Sequence, residues 1–448
     1  MSTLKVDDIQ SRQSTDDAIS LASDSSVTLK HSGSAKLATT STGVTITGAC
    51  AATSFSGDGS ALTGLSSGVS SDAQFNTVGG TQAGDSFDGT NPNNNTLFGY
   101  DAGTAITTGN FNTSVGSEAL KTGNGWNNVA IGYQSLYSAT SSSKNVALGV
   151  KAGYSLTSSQ GSVYIGWLAG YAHTGSNSVM IGYDAGKTVA GVDGLTFIGY
   201  EAGAGNTTGV ENTFVGYQAG KATTTGGENV FVGRLAGTAN TTGANNVAVG
   251  CLALDACTAG QSNVCVGRAA GGEITGTFGT FDGSMNTCVG HGAGSAITTG
   301  KYNMVLGAFA SASSATVDYE ITLGSSSITN LRCADTSISS LSDRRDKTDI
   351  VDLPVGLDFV NTLKPRQFKW QTREGIPHKD GTVRAGFIAQ ELQEVQTGAE
   401  YLDLVYDSNP DQLEVKQGKL IPVLVKAIQE LSTKNTALES RIQILEAA

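Results

Sequence analysis

The chain has 448 residues, 59 of them glycine and only 6 proline, with 15% charged and 7% aromatic residues. Its formal charge of −12 leaves no basic surface to meet phosphates, which argues against a nucleic-acid binder. No apolar run is long enough to cross a bilayer, so no membrane insertion is expected, and the N-terminus MSTLKVDDIQ lacks a secretory pattern.

Residues 1–90 are rich in Ser, Thr, Ala and Gly. The runs SSVTLKHSG and GVTITGA read as short strands between turn signals, and SFSGDGSALTGL reads as a tight turn and hinge. Nothing in this β-rich arm offers chemistry. It serves either as an attachment point or as a partly ordered extension.

Residues 91–330 carry a repeat. A glycine returns at Gly99, Gly116, Gly132, Gly149, Gly166, Gly182, Gly199, Gly216, Gly233, Gly250, Gly267, Gly290, Gly307 and Gly324, at gaps of 16 or 17 residues with one gap of 23. Phased glycine of this kind marks an ordered repeat rather than a low-complexity chain. The position one before the glycine is large and apolar (Ile131, Leu148, Val215, Val232), and the position three before is Thr, Val, Ile or Met (Val129, Val146, Thr213, Val230). They alternate with a variable residue, which is strand patterning with one buried face. Four before the glycine stands Asn in most units, from Asn95 and Asn112 to Asn286 and Asn303, and three after it stands Ala or Ser. The expected fold class is mostly β: a parallel β-solenoid or β-roll, one coil per 17-residue unit, with the two aliphatic columns as its core and the Asn column as an amide ladder.

Two features of the rod invite a binding role. Tyr100, Tyr133, Trp167, Tyr183, Tyr200 and Tyr217 follow the marker glycine directly. As exposed aromatics they are candidate receptor contacts, with a glycan among the candidate ligands. The alternative is that they stack on each other and shield the turn. The 23-residue gap adds a loop, GGEITGTFGTFDGS (271–284), whose Phe278 and Phe281 are further candidates unless the loop is only a tolerated insertion. Acidic residues are sparse along the repeats and show no carboxylate pair of the kind a glycosidase needs.

The cysteines Cys50, Cys251, Cys257, Cys265, Cys288 and Cys333 form no CxxC pair and have no nearby histidine, so neither a metal site nor a cofactor is expected. Cys265 and Cys288 share a repeat position on consecutive units. Reduced thiols are favoured over a disulfide there.

Beyond a linker at 331–341 the composition changes, with 31 charged residues among the last 107 against 35 in the first 341. GFIAQELQEV reads as a short amphipathic helix. From Leu424 the apolar spacing becomes 4-3-4-3 through Ile428, Leu431, Asn435, Leu438, Ile442 and Leu445, a coiled-coil seam with one Asn. The alternative is a lone helix packed on its own domain. Taken alone, that seam favours two strands.

The repeat, as in NVAVGCLA at Asn246–Ala253, resembles the head repeats of trimeric autotransporter adhesins, which supports a trimeric β-roll. SDRRDKTDI (342–350), LKPRQFKW (363–370), GFIAQELQEV (386–395) and LIPVLVKAIQEL (420–431) occur in order. Together they resemble the intramolecular chaperone auto-processing domain at the C-terminus of phage tailspikes, tail fibres and endosialidases. The resemblance implies a small α+β domain over 342–448 that trimerises the chain and then cuts it once. In that family a Ser–Lys dyad in an S-D-x-R-x-K motif cleaves just before the serine, which places the dyad at Ser342 and Lys347, supported by Asp343 and Arg345, and the cut between Leu341 and Ser342. A serine needs a base, and a lysine serves as one only when neutral, through burial or nearby cations such as Arg344 and Arg345. The bland reading of SDRRDK is a helix cap followed by charges.

These features imply a viral (bacteriophage) tail fibre or appendage: a structural, host-adhesive homotrimer, assembled in the host cytoplasm and carried on the virion tail, with its N-terminus on a tail or baseplate protein. No turnover enzyme is expected, only single-event autoproteolysis. The alternatives are a trimeric cell-surface adhesin and a polysaccharide-depolymerising tailspike. Near-identical coils pair out of step at little cost, which gives a domain that holds three chain ends level a purpose.

Overall fold

The computed structural model describes residues 8–10, 17–21, 26–31, 34–40, 43–47, 69–328, 330–334, 338, 341–370, 381–407, 409–411 and 413–447. Cys50 and the expected hinge at 54–65 lie outside them. The chain divides into a unit spanning Met1–Leu65 and a second spanning Ser66–Ala448.

The first unit is an antiparallel meander of five strands, β1 (Asp8–Gln10), β2 (Asp17–Leu21), β3 (Val27–His31), β4 (Ser34–Thr40) and β5 (Gly43–Ile46), each paired with the next. The β-type runs of the sequence fall on β3 and β5.

The second unit opens with β6 (Ser70–Ser71), antiparallel to β7 (Thr77–Gly79). From β7 a parallel ladder climbs through β8 (Thr96–Phe98), β9 (Thr113–Val115), β10 (Val129–Ile131), β11 (Val146–Leu148), β12 (Val163–Ile165), β13 (Val179–Ile181), β14 (Thr196–Ile198), β15 (Thr213–Val215), β16 (Val230–Val232), β17 (Val247–Val249), β18 (Val264–Val266), β19 (Thr287–Val289), β20 (Met304–Leu306) and β21 (Ile321–Leu323). Fifteen strands at about 4.8 Å spacing make a β-solenoid ladder roughly 67 Å long. It starts one coil before residue 91. That coil ends on Gly80 and carries Asn76 four residues earlier, but its longer spacing to Gly99 hides it from the repeat.

Every pairing is in register, so equivalent residues stack: Val129 on Val146, Phe197 on Phe214, Cys265 on Cys288. The marker glycines stack as well. Gly199 has φ +141, and a Cβ there would sit 2.2 Å from the carbonyl oxygen of Gly216, so both conformation and space demand glycine.

The core differs from the sequence expectation. The two aliphatic columns are not the interior of the coil. The variable residue between them is: Leu97, Ala130, Ala147, Tyr164, Met180, Phe197, Phe214 and Phe231 are fully buried, whereas Val115, Ile131, Ile165, Val230 and Val289 stay 36–39% exposed. Alternation assigns the two sets to opposite faces but does not say which face looks inward. The buried position varies because neighbouring positions compensate for it. Phe197, Phe214 and Phe231 lie against Gly203, Gly220 and Gly237, where a Cβ would come within 2.4–2.7 Å of the rings. Where the same position is Ser114, Ala130 or Ala248, the place of that glycine is taken by Leu120, Leu136 or Leu254, all buried. In these coils the two positions trade volume, whereas Ala147 goes with Gly153, beside which stand Leu136 and Tyr164 of the adjoining coils.

The amide ladder forms as expected. Asn229 Oδ1 accepts from the backbone N–H and the side-chain Nδ2 of Asn246, at 3.0 and 3.1 Å, while Asn229 Nδ2 donates to Gly243 O in its own coil at 2.9 Å. The same triad recurs from Asn95 to Asn145 and from Asn212 to Asn303. Between these runs stand Ser162, Ser178 and Leu195, and a second device fills the gap. His173 Nε2 bonds Val192 O at 2.8 Å, the carbonyl that an amide at position 178 would reach, and His173 Nδ1 accepts from the buried Tyr164 hydroxyl at 2.6 Å. Burial pushes the His173 imidazole below its usual value, which keeps it neutral for this role.

The C-terminal region is small and α+β. It comprises α1 (Leu357–Val360), a hairpin of β22 (Arg366–Lys369) and β23 (Val383–Gly386), α2 (Ala389–Val395), a hairpin of β24 (Val405–Tyr406) and β25 (Glu414–Val415), and α3 (Leu420–Glu446). Its core gathers Ala389, Leu392, Leu402, Leu404, Leu420 and Val423. Glu430 of α3 accepts from the N–H of Leu357 at 2.8 Å and so caps α1.

Candidate self-cleavage site and exposed faces

Residues 344–346 form one 3-10 turn, capped by Asp343, whose carboxylate accepts the N–H of Arg345 at 2.8 Å. The turn closes with the N–H of Lys347 on Arg344 O. This reversal brings two side chains five residues apart into contact, and the Lys347 ammonium donates to Ser342 Oγ at 2.5 Å. The cap reading and the dyad reading of SDRRDK therefore describe the same turn: the cap creates the proximity.

Asp343 and Arg345 face each other rather than the pair. Arg345 Nη2 lies 2.6 Å from Asp343 Oδ2, and the guanidinium with the Arg345 backbone N–H holds the Asp343 carboxyl below its usual range. The job of these two residues is to shape the turn. Ser342, Lys347 and the preceding Leu341, which is fully exposed, are open to solvent in the single chain. The chain itself supplies no burial for the lysine.

On the rod, Trp167, Tyr183, Tyr200 and Tyr217 stack, with centroids 6.4, 5.2 and 5.2 Å apart. Both faces of Tyr183 and Tyr200 are covered, and their edges and hydroxyls remain exposed. A sugar packs its C–H face on a ring face, so the end ring Tyr217 offers more than its neighbours. A second stack, Tyr137, Tyr154 and Tyr171, with centroids 5.0 and 5.1 Å apart, follows the same 17-residue spacing and was equally visible in the sequence. The inserted loop leaves the rungs intact, since Asn286 N–H bonds Asn263 Oδ1 at 2.9 Å across it. It projects Phe278, 77% exposed, and Phe281, 56% exposed.

Cys265 and Cys288 are free thiols, and a hydrogen bond with Cys288 together with burial raises the Cys265 thiol well above its usual value. Among the described residues no group of His, Cys, Asp and Glu is placed to hold a metal ion, and no helix is long and apolar enough to cross a membrane.

Among the described residues, two apolar surfaces are left without a partner. One is the outer sheet face, an apolar column beside a column of Val, Thr, Met and Ile, partly buried to exposed along the ladder. The other is α3, whose seam residues Leu424, Ile428, Leu431, Leu438, Ile442 and Leu445 are 42–73% exposed.

Residues 342–401 match the family model described as the chaperone of endosialidase. The match takes in the first three sequence motifs and stops before α3. No curated protein and no solved structure matches the chain. A parallel β-solenoid followed by this domain fits a tailspike or tail fibre with a C-terminal chaperone.

Proposed function

We propose that this chain is a bacteriophage tail-fibre or appendage protein: a trimeric, host-adhesive shaft whose C-terminal region aligns three chains and then cuts itself off. The observation that carries the reading is the chaperone-family segment set directly behind a solenoid that leaves an aliphatic face uncovered. A continuous apolar strip of this kind marks an interaction surface, unlike apolar residues scattered singly. Two further copies of the chain, packed face to face, cover it, and their α3 helices cover the seam.

Cleavage then follows from the turn. Ser342 Oγ attacks the carbonyl carbon of Leu341 as Lys347, neutral, takes the hydroxyl proton. The C–N bond breaks, the Ser342 nitrogen leaves as an amine carrying a proton, and the resulting ester on Oγ is hydrolysed by water. The neutral lysine comes from burial against neighbouring chains, so assembly switches the cut on.

The test is the mass of the mature, assembled particle. The expected result is a trimer of chains ending at Leu341, with the remaining 107 of the 448 residues present as separate fragments. Ser342→Ala leaves full-length chains in a trimer. A wild-type particle of uncut chains sinks the cleavage reading, and a monomer of either length sinks the trimer.

A further inference from the structure

The amide column of the rod ends on an acid. Glu320 stands one period after Asn303, where the column would place another asparagine, and its N–H still bonds Asn303 Oδ1 at 2.9 Å. All the hydrogen bonds of its side chain come from donors, with the Glu414 carboxylate as a like-charged neighbour in the same cleft. Glu320 Oε1 accepts from Ser313 N–H and Thr322 Oγ1, each at 2.9 Å, and Oε2 accepts from Ser313 Oγ and from the Tyr406 hydroxyl, the latter at 3.0 Å. Burial alone would raise this carboxyl, but these hydrogen bonds outweigh it and hold it below its usual value. An asparagine would turn an NH₂ toward at least one of these donors.

Two of the contacts join segments far apart in sequence. Tyr406 ends β24, and Asn409, in the turn after it, donates to Ser313 O at 3.0 Å. The second hairpin of the C-terminal region thus sits on the last coil of the rod, around a cleft of about 850 Å³ lined by Ser313, Glu320, Thr322, Tyr406, Asn409 and Glu414. On the covalent link between the two, Ile338 and Leu341 are exposed.

We propose that Glu320 is a register key: the β24–β25 hairpin seats on the one rung of this column that presents a carboxylate, and the seat holds the C-terminal region on the rod independently of the peptide link. The inference rests on the reading that this region sets the register, and adds how it finds the correct rung. Every earlier amide rung looks alike to a docking surface. A carboxylate with all its lone pairs facing donors does not. It follows that cutting after Leu341 does not by itself free the fragment. Release is a second step, the breaking of the Glu320–Tyr406 seat.

The experiment uses the full chain carrying Ser342→Ala, with the recognition sequence of an added site-specific protease inserted in the 334–341 segment. The cut is then made at will and does not depend on self-cleavage. After proteolysis the fragment of the reference chain is expected to co-elute with the rod on size exclusion. Tyr406→Phe and Glu320→Gln, which keep shape and remove the charge-assisted bond, are expected to release it at least about tenfold faster. Thermal unfolding of the rod in both variants serves as the folding control. Immediate loss of the fragment from the reference chain overturns the proposal. So does equal retention in both variants, which would put the hold in α3 alone.

Discussion

The rod and the C-terminal region solve the same problem with opposite means. In the rod each coil is nearly complete: the core column, the amide ladder and the stacked glycines satisfy almost every buried group against the coils before and after. In the C-terminal region a small core supports a helix of 27 residues, of which Leu420, Val423 and Ala427 are buried and most of the rest is exposed. The rod therefore has local order in excess and little to tell one chain from another, while the terminal region has little local order and a long surface for self-recognition. In the proposed trimer, register between chains, which the uniform outer columns specify poorly, falls to the region that is not repetitive.

The largest effect that could break this comparison is on the outer face. Ile131→Asp together with Val215→Asp places two charges on the uncovered strip and leaves the coil interior untouched. The expected outcome is complete loss of the assembled species in sedimentation while the β signal of the chain persists. Assembly at the wild-type level would show that the strip is not an interface. Next in size is the interior. Phe214→Ala removes the middle ring of a buried stack with centroids 4.9 and 5.0 Å from its neighbours and should cost about 3–5 kcal/mol. Tyr200→Ala on the exposed stack should lower the melting temperature far less. Equal losses would contradict the assignment of inside and outside.

The amide column comes third. Asn229→Ala leaves the Asn246 N–H without a partner, at about 1–3 kcal/mol, whereas Gly243 O keeps Asn240 Nδ2 and Asn246 Nδ2 keeps Gly260 O. Asn229→Ser should be milder, because Ser162 and Ser178 already pass the ladder along through their hydroxyls. Chemical denaturation of the two variants side by side checks the order.

The smallest effect is a pH slope. The His173 pKa is depressed in the folded chain, so above about pH 6.5 both states are neutral and nothing is lost. As pH falls below that value the unfolded chain binds the proton first, and stability declines until the native imidazole is protonated too. Melting curves between pH 7 and 5 should therefore be steeper for wild type than for His173→Gln. Parallel curves would mean that the imidazole is not held neutral.

Much of this was legible in the residues. The glycine spacing, the Asn column and the strand alternation are local regularities, and local regularities stack into a ladder with no further instruction. The direction of each face was not legible, because period two distinguishes two faces without naming the inner one. The compensation between Phe197 and Gly203, or Ala248 and Leu254, carried that information in the sequence, as correlated volume rather than as a pattern of apolar letters. The Ser342–Lys347 spacing was plain. Their contact depended on the turn that Asp343 caps. Glu320 was visible as an acid in an amide column, but its partner Tyr406 is 86 residues away.

By itself, then, the sequence determined the repeat, its rise, its amide ladder and the place of the SDRRDK turn, since each depends on neighbours one period or one turn away. Only the tertiary structure decided which column is core and which is left bare, how His173 fills a gap in the amides, and that the chain's end seats on a carboxylate. Those outcomes depend on volume and hydrogen-bond polarity between residues that the linear order keeps apart.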